Sequence, residues 1–243
     1  MTELAESLAA VVADSLNVSS VEVRDLVRLS GGASRESWSF DAVHDGAVTE
    51  LILRRAPAAI SDAIGPTMML EAAAMREAAR VGVPSPDVIF ATADKVPLGG
   101  SCIVMTRVAG ESIARKILRD NEYAEARPKL ASQCGEILGR LHTMDQQALP
   151  AMVDGYQLDG LRALLDDSGV ASPMLELALR WLDTHQPPST RKTVVHGDFR
   201  NGNLIVSPTG IGAVLDWELV HLGDPMEDLG WLCTRAWRFG GKG

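Results

Sequence analysis

The residues best suited to chemistry lie in one polar stretch and at the end of the second apolar segment after it. Asp198 lies three positions after an apolar segment that ends at Val195, and Asn203 follows five positions later. Asp216 comes directly after a third apolar segment, 211–215. A strand–loop–strand–turn–strand order would bring these side chains into one small volume. A carboxylate can accept the proton of an attacking hydroxyl, and amide and carboxylate oxygens bind Mg²⁺. We therefore predict Asp198 as catalytic base, with Asn203 and Asp216 as catalytic residues that hold magnesium.

Three ordered motifs in this region resemble the aminoglycoside phosphotransferase family, which includes choline-kinase-like enzymes and shares the protein-kinase fold. The motifs are H-G-D-x-x-x-x-N, an apolar residue followed by D-W-E, and G-D-P-x-x-D-L. They are matched by His196, Gly197, Asp198, Asn203, Leu215, Asp216, Trp217, Glu218, Gly223, Asp224, Pro225, Asp228 and Leu229. The resemblance implies phosphoryl transfer from ATP with Mg²⁺. The sequence is most similar to the branch of kinase domains fused to acyl-CoA dehydrogenases.

Several neighbouring residues have expected roles that are structural rather than chemical. We expect His196 to support the loop, and Asp224 and Asp228 to cap the helix that follows them, because acidic residues favour helix N-termini. His142 is expected to be packed and hydrogen-bonded. Trp231 and Trp237 are expected in the helix core.

A run of small residues lies between the first two predicted strands. Small residues allow backbone N–H groups to approach phosphate oxygens, and the resemblance implies a nucleotide-positioning loop here. The match to G-x-G-x-x-G is poor, and by itself the run could be a hairpin turn. The residues predicted to bind the nucleotide in this run are Ser30, Gly31, Gly32 and Ser34.

The third predicted strand carries arginine where the kinase fold has a lysine. Alternation places Ile52 and Arg54 on one face, so Ile52 could contact adenine while Arg54 reaches the phosphates. The predicted helical partner of Arg54 is Glu71, with Glu77 as second choice. Arginine is always charged but is not interchangeable with lysine. The alternative is that Arg54 and Arg55 lie on the surface of an edge strand.

The segment 103–110 resembles the connector between the two lobes of the family, whose backbone binds adenine. Its predicted nucleotide contacts are Met105, Thr106 and Val108. An apolar strand that runs into a glycine is common in other folds, so this segment is less diagnostic than the motifs above.

The pattern of elements predicts an α+β chain with a two-lobed protein-kinase-like fold. An antiparallel sheet with one main helix precedes a mostly helical lobe with a short β insert, whereas a doubly wound sheet would alternate strands and helices throughout. The predicted strands are 23–29, 37–43, 48–54, 87–93, 102–107 and 211–215, with Asp45-Gly46 as a hairpin turn. The predicted helices are 3–16, 67–80, 121–146, 158–166, 173–185 and 225–237.

The predicted lobes are residues 1–106, which bind nucleotide, and 107–243, which we expect to be a catalytic lobe truncated at its C-terminus.

Composition narrows the classes of binding partner and the cellular compartment that are expected. A net charge of −9 without a basic stripe disfavours nucleic acid. No apolar run is long enough for a membrane span, and the acidic N-terminus is unlike a signal peptide. With three widely spaced cysteines, the chain is expected to be cytoplasmic.

The sequence therefore predicts an ATP- and Mg²⁺-dependent phosphotransferase acting on a hydroxyl group of a small molecule. The resemblance makes hydroxyacyl thioesters and aminoglycosides candidate acceptors. One alternative is a catalytically weak nucleotide-binding module that serves a partner protein, which the missing lysine favours. Another is a carboxylate–metal hydrolase built on the same acids, which would release phosphate without nucleotide preference.

Overall fold

The computed structural model describes residues 3–29, 35–56, 67–152, 158–188 and 191–238. Its first half is an antiparallel sheet of five strands in the order β1-β2-β3-β5-β4. The strands are β1 (Glu22–Arg28), β2 (Glu36–His44), β3 (Ala47–Arg55), β4 (Val88–Thr92) and β5 (Cys102–Thr106). Each lies within one residue of its predicted bounds, because alternating β-branched and polar residues are a local signal.

The β2–β3 hairpin turns at Asp45 and Gly46, as the dipeptide predicts. Both residues have positive φ, 47° and 78°, the conformation that a two-residue turn matching strand twist requires. The register is continuous from His44 opposite Ala47 to Glu36 opposite Arg55. This hairpin fixes which face of β3 each side chain occupies.

Two helices cover opposite faces of the sheet. Helix α1 (Glu3–Leu16) packs Leu8 and Val12 against one face, and α2 (Met68–Arg80) packs on the other. The alternate residues of β5 divide between the two cores, with Val104 in one and Ile103 in the other. Because both faces of β5 are covered, its sequence is apolar throughout rather than alternating.

The second half is mainly helical and carries four short strands. Its helices are α3 (Ala114–Arg119), α4 (Arg127–Leu141), α5 (Leu158–Asp167), α6 (Pro173–His185) and α7 (Met226–Cys233). Its strands are β6 (Thr193–Val195), β7 (Leu204–Ser207), β8 (Gly210–Val214) and β9 (His221–Gly223). They form two antiparallel pairs, β6 with β9 and β7 with β8. The fold class is the predicted α+β, kinase-like one.

Two predicted helices of this half have different bounds in the structure, and two short elements were not predicted. The predicted helix 121–146 begins only at Arg127, after a short 3-10 turn, since Pro128 suits the first turn of a helix but not its middle. The predicted helix 225–237 ends at Cys233 and is followed by a 3-10 turn. Helix α3 and strand β9 were not predicted, because three to six residues carry too little periodicity. Strand β6 pairs with β9.

The connector after β5 is pinned to the second half by its backbone. Glu111 N–H donates to Val206 O at 3.0 Å, and Val206 N–H returns a bond to Glu111 O at 2.9 Å. Gly110 has φ +142° and passes so close to β7 that a Cβ would lie 2.8 Å from Val206 O. One apolar core extends over both halves and includes Met75, Leu138 and Trp217. The lobe boundary at residue 106 therefore stays a prediction.

Within the described residues, no helix combines the length and apolar character needed to cross a membrane.

Replacing Gly110 with alanine should destabilise the fold by about 2 kcal/mol, because the new Cβ is strained by the positive φ and clashes with β7. The free energy of unfolding in urea measures this. Gly139→Ala in α4 is the matched control, since a Cβ there meets nothing within 4 Å and should stabilise by about 0.5 kcal/mol. Equal effects of the two changes would contradict the pinned connector.

Candidate active site

The loop after β6 is shaped by a buried histidine. The Asp198 N–H donates to His196 Nδ1 at 3.2 Å, so Nδ1 is the acceptor and the proton lies on Nε2, which donates to Leu215 O at 2.9 Å. Burial lowers the pKa of His196, although Asp228 and the Leu215 carbonyl oppose the effect. A neutral His196 thus links the loop to Leu215, the residue before Asp216. This is the supporting role that the sequence predicts.

Asp198 and Asn203 are in direct contact across the loop. Asn203 Nδ2 donates to Asp198 Oδ2 at 2.6 Å and to the Asp198 carbonyl at 3.0 Å. The other carboxylate oxygen, Asp198 Oδ1, accepts from Arg200 Nε at 2.9 Å and from Trp231 Nε1 at 2.6 Å. The loop therefore holds the Asp198 carboxylate by both oxygens, with its side chain 14% exposed.

Asp216 is brought beside this pair by the backbone. Leu215 N–H donates to Asn203 O at 2.8 Å, so the residue after Leu215, Asp216, lies next to Asn203. Asp216 has left-handed φ and ψ of 67° and 61°, a conformation that aspartate tolerates better than most residues. The structure thus gathers the three residues predicted from spacing. Their chemical roles stay predictions.

Arg54 reaches from β3 across to the second half of the chain. Its Nη2 donates to Asp216 Oδ1 at 2.8 Å and lies 3.4 Å from Glu218 Oε2, while Nη1 lies 3.5 Å from Glu71 Oε2. The predicted pairing with Glu71 is present, but the shortest contact is with Asp216. Arg54 is mostly buried, so it does not lie on the surface of an edge strand.

Sequence reasoning missed two members of this network, Arg35 and Glu218. Arg35 forms a close ion pair with Glu71, and its Nε lies 3.6 Å from Glu218 Oε2. Arg35 directly follows the run of small residues, and Glu218 belongs to the D-W-E motif. Both residues could therefore have been found from features that the sequence analysis had already identified. Two guanidinium groups, those of Arg35 and Arg54, thus lie against the same two acids, Glu71 and Glu218.

Glu71 is the most buried acid of the network. Its side chain is 1% exposed, and burial raises its pKa to about 7 against the opposing pull of Arg54 and Arg35. The carboxylate oxygens form ion pairs but no hydrogen bond within the described residues. Two guanidinium groups therefore neutralise Glu71, and its protonation can change near neutral pH.

Asp228 anchors the start of the loop instead of capping α7, which corrects the prediction made for it. It is fully buried and accepts from His196 N–H, Gly197 N–H and His142 Nε2, each at 3.0 Å. Burial by itself would raise its pKa, but His142 and the two backbone donors outweigh burial and lower it. The packed, hydrogen-bonded role expected of His142 is confirmed.

Asp224 does cap α7, as predicted. Its Oδ1 accepts from Met226 N–H at 2.9 Å, and the Asp224 N–H donates to Glu227 Oε1 at 3.0 Å. The expectation that Trp231 lies in the helix core was wrong, because its side chain is 39% exposed and donates to Asp198. The Trp237 side chain lies outside the described residues.

The predicted nucleotide contacts are only partly within the described structure. Ser30, Gly31, Gly32 and Ser34 lie outside the described residues. Ile52 pairs with Met105 across β3 and β5, which places the two predicted contacts side by side. The Thr106 N–H is used by Asp87 O and the Arg107 N–H by Glu50 O. Both amides are therefore already bonded and cannot serve adenine. The contact by Val108 stays a prediction.

Asn203 and Asp216 fit a magnesium site. The amide nitrogen of Asn203 is used by Asp198, which leaves its oxygen as the polar atom for a cation, and Asp216 is one-third exposed. No cluster of three His, Cys, Asp or Glu side chains able to hold a metal occurs in the described part of the chain. A two-ligand set suits Mg²⁺, which keeps several waters and binds substrate phosphates.

A five-stranded sheet with α2, pinned by a short connector to a helical half that carries these acids, is the architecture of a kinase-like protein. The chain belongs to the phosphotransferase enzyme family (APH), whose family model matches residues 25–242.

Two kinds of relative accompany this family match. The chain is 30% identical over 194 residues to acyl-CoA dehydrogenase family member 10 of Mus musculus, a match covering 76% of this chain and 18% of that protein. It thus spans about a fifth of the length of such relatives. A candidate aminoglycoside phosphotransferase from Ralstonia eutropha is 25% identical, with TM-score 0.69, covering 90% of this chain and 65% of that one.

A thermostable mutant of aminoglycoside phosphotransferase APH(4)-Ia, in complex with ADP and hygromycin B, is 18% identical with TM-score 0.63. The likeness covers 93% of this chain and 75% of that chain. At this identity the comparison shows the shared fold.

Replacing Asp228 with alanine should cost about 3 kcal/mol of stability, because two backbone N–H groups and His142 lose their buried acceptor. Asp224→Ala, in the same motif, should cost only about 1 kcal/mol as the loss of a helix cap. Urea unfolding of both variants measures the difference. Similar losses would show that Asp228 is no more than a cap.

Glu71→Gln should remove a pH dependence from folding. Between about pH 5 and about pH 7 folded Glu71 keeps a proton that the unfolded chain has lost, so wild-type stability falls relative to the variant as pH rises. Glu77→Gln on the same helix is the control. Arg80 lowers the pKa of Glu77, so its stabilisation is lost only at lower pH, and between about pH 5 and about pH 8 the difference should stay flat. Parallel curves for Glu71→Gln and wild type would contradict this.

Proposed function

We propose that this chain transfers the γ-phosphoryl group of ATP, with Mg²⁺, to a hydroxyl group of a small molecule. The observation that carries the proposal is the contact of Asp198 with Asn203 beside Asp216, with Arg54 against the same set. This set combines a proton acceptor, two oxygen ligands and a fixed positive charge. Phosphoryl transfer needs positioning and charge stabilisation more than covalent chemistry, and such groups supply both.

Asp198 is the proposed base. The proton of the acceptor hydroxyl passes to the Asp198 carboxylate as the acceptor oxygen forms its bond to the γ-phosphorus. The bond from that phosphorus to the bridging oxygen breaks, and its electron pair stays on ADP. Asn203 holds Asp198 through Nδ2 and so fixes the carboxylate before the acceptor arrives. Pre-positioning of this kind is a major source of rate acceleration.

Asn203 and Asp216 are the proposed magnesium ligands. When bound, Mg²⁺ would supply positive charge that offsets the phosphates. Arg54 donates to Asp216, so the guanidinium and a cation compete for one carboxylate. Arg35, paired with Glu71, keeps that buried acid neutralised when Arg54 turns to a phosphate. The two arginines thereby divide the two tasks that a single lysine performs in the kinase fold.

The acceptor classes we propose are hydroxyacyl thioesters and aminoglycoside-like compounds. The first is supported by the similarity to acyl-CoA dehydrogenase family members and the second by the fold shared with aminoglycoside phosphotransferases. A panel of hydroxyl compounds from both classes, screened for ATP-dependent phosphorylation, would separate them.

A nucleotide-binding module with weak turnover is the second candidate. The observation in its favour is the Arg54–Asp216 bond, which places an arginine on the proposed metal ligand. Stabilisation by Mg²⁺–ATP without transfer to any acceptor in the panel would support this module over the enzyme.

Asp198→Ala should lower the transfer rate at least about 100-fold while nucleotide still raises the melting temperature, because the base does not hold the nucleotide. Asp216→Ala should abolish transfer and also the effect of Mg²⁺ on ADP binding. Rates with the panel and thermal shifts with ADP measure both.

The matched control is Asp183→Ala, which removes an exposed carboxylate on α6 and should leave both readouts unchanged. Survival of transfer within about tenfold in either site variant would show that the assigned roles are wrong.

A further inference from the structure

Helix α7 contacts the loop after β6, residues 196–203, through two side chains one turn apart. Residues at positions i and i+3 are neighbours on a helix surface, and Asp228 and Trp231 have this spacing. Asp228 accepts from the backbone of His196 and Gly197, and Trp231 Nε1 donates to Oδ1 of the next residue, Asp198, at 2.6 Å. The helix therefore fixes the backbone where the loop begins and also the proposed catalytic carboxylate itself.

The donors around Asp198 are distributed unevenly between its two oxygens. An ionised carboxylate offers about two lone-pair sites on each oxygen. Oδ1 accepts from both Arg200 Nε and Trp231 Nε1, so its sites are filled. Oδ2 accepts from Asn203 Nδ2 alone within the described structure, which leaves one site open.

The chemistry of the two Oδ1 donors suits a purely orienting task. An indole N–H and a guanidinium can donate but not accept hydrogen bonds, so neither can take up the proton that the base receives. The side chain of Trp231 is 39% exposed, whereas Asp228 on the same helix is fully buried. Trp231 therefore contributes a directed bond with little burial.

We propose that Trp231 is a positioning residue of the transfer reaction, which together with Arg200 occupies Asp198 Oδ1 and leaves Oδ2 to receive the acceptor proton. The inference rests on the proposed role of Asp198 as base. The proton moves from the acceptor hydroxyl to Oδ2, the acceptor oxygen bonds to the γ-phosphorus, and the ADP oxygen leaves with the bonding electron pair.

The experiment measures phosphate transfer from Mg²⁺–ATP to water and to the best hydroxyl acceptor of the panel. Trp231→Phe keeps the ring but loses the N–H, and should lower kcat about tenfold with the KM for ATP unchanged. Trp231→His restores a ring N–H and should recover part of the rate. Trp181→Phe is the control, since Trp181 is 57% exposed on α6 and stacks on His185.

A double-mutant cycle separates positioning from general damage to α7. In the Asp198→Ala background, Trp231→Phe should have no further effect on the residual rate, because the bond it removes is already absent. A further loss there, or an equal loss in Trp181→Phe, would overturn the inference. A wild-type rate in Trp231→Phe, together with an inactive Asp198→Ala variant, would also overturn the inference but would leave the proposed function intact. Wild-type activity in Asp198→Ala would overturn the proposed function itself. Thermal unfolding confirms that each variant is folded.

Discussion

One buried carboxylate, that of Asp228, holds together the elements on which the candidate site depends. A buried charge is costly unless donors surround it. Here the donors come from the end of α4 and from the loop that begins at His196, while the acid belongs to α7. The link continues from the loop through His196 to the Leu215 carbonyl, next to Asp216. Four separate segments are thereby kept in one arrangement.

A second constraint acts between the sheet and the helical half. Arg54 on β3 bonds to Asp216, and Arg35 and Arg54 together face three acids, Glu71, Asp216 and Glu218. With every acid ionised, this group would carry a net negative charge, and the raised pKa of Glu71 reduces that excess. The arrangement favours positive ligands near Asp216. The two arginines share Glu71 and Glu218 as partners, and Arg54 also bonds to Asp216.

Sequence and structure agree best where the signal is local. The strands of the first sheet and the Asp45-Gly46 hairpin follow from alternation and turn chemistry within a few residues. The start of α4 differs from the prediction because Pro128 suits only the first turn of a helix. Strand β9 was not predicted because three residues carry too little periodicity. The sequence analysis wrongly expected Trp231 in the helix core. An apolar side chain on a helix does not show which neighbouring segment it contacts, and Trp231 donates to Asp198.

The amino-acid sequence by itself determined the α+β kinase-like class, the family, and the grouping of Asp198, Asn203 and Asp216, because these depend on residue types at fixed spacing. Only the tertiary structure decided that Asp228 anchors the loop, that Arg35 shares Glu71 with Arg54, and that Trp231 bonds to Asp198. These contacts join residues far apart in the chain, and their partners are selected by how the helices and the sheet pack.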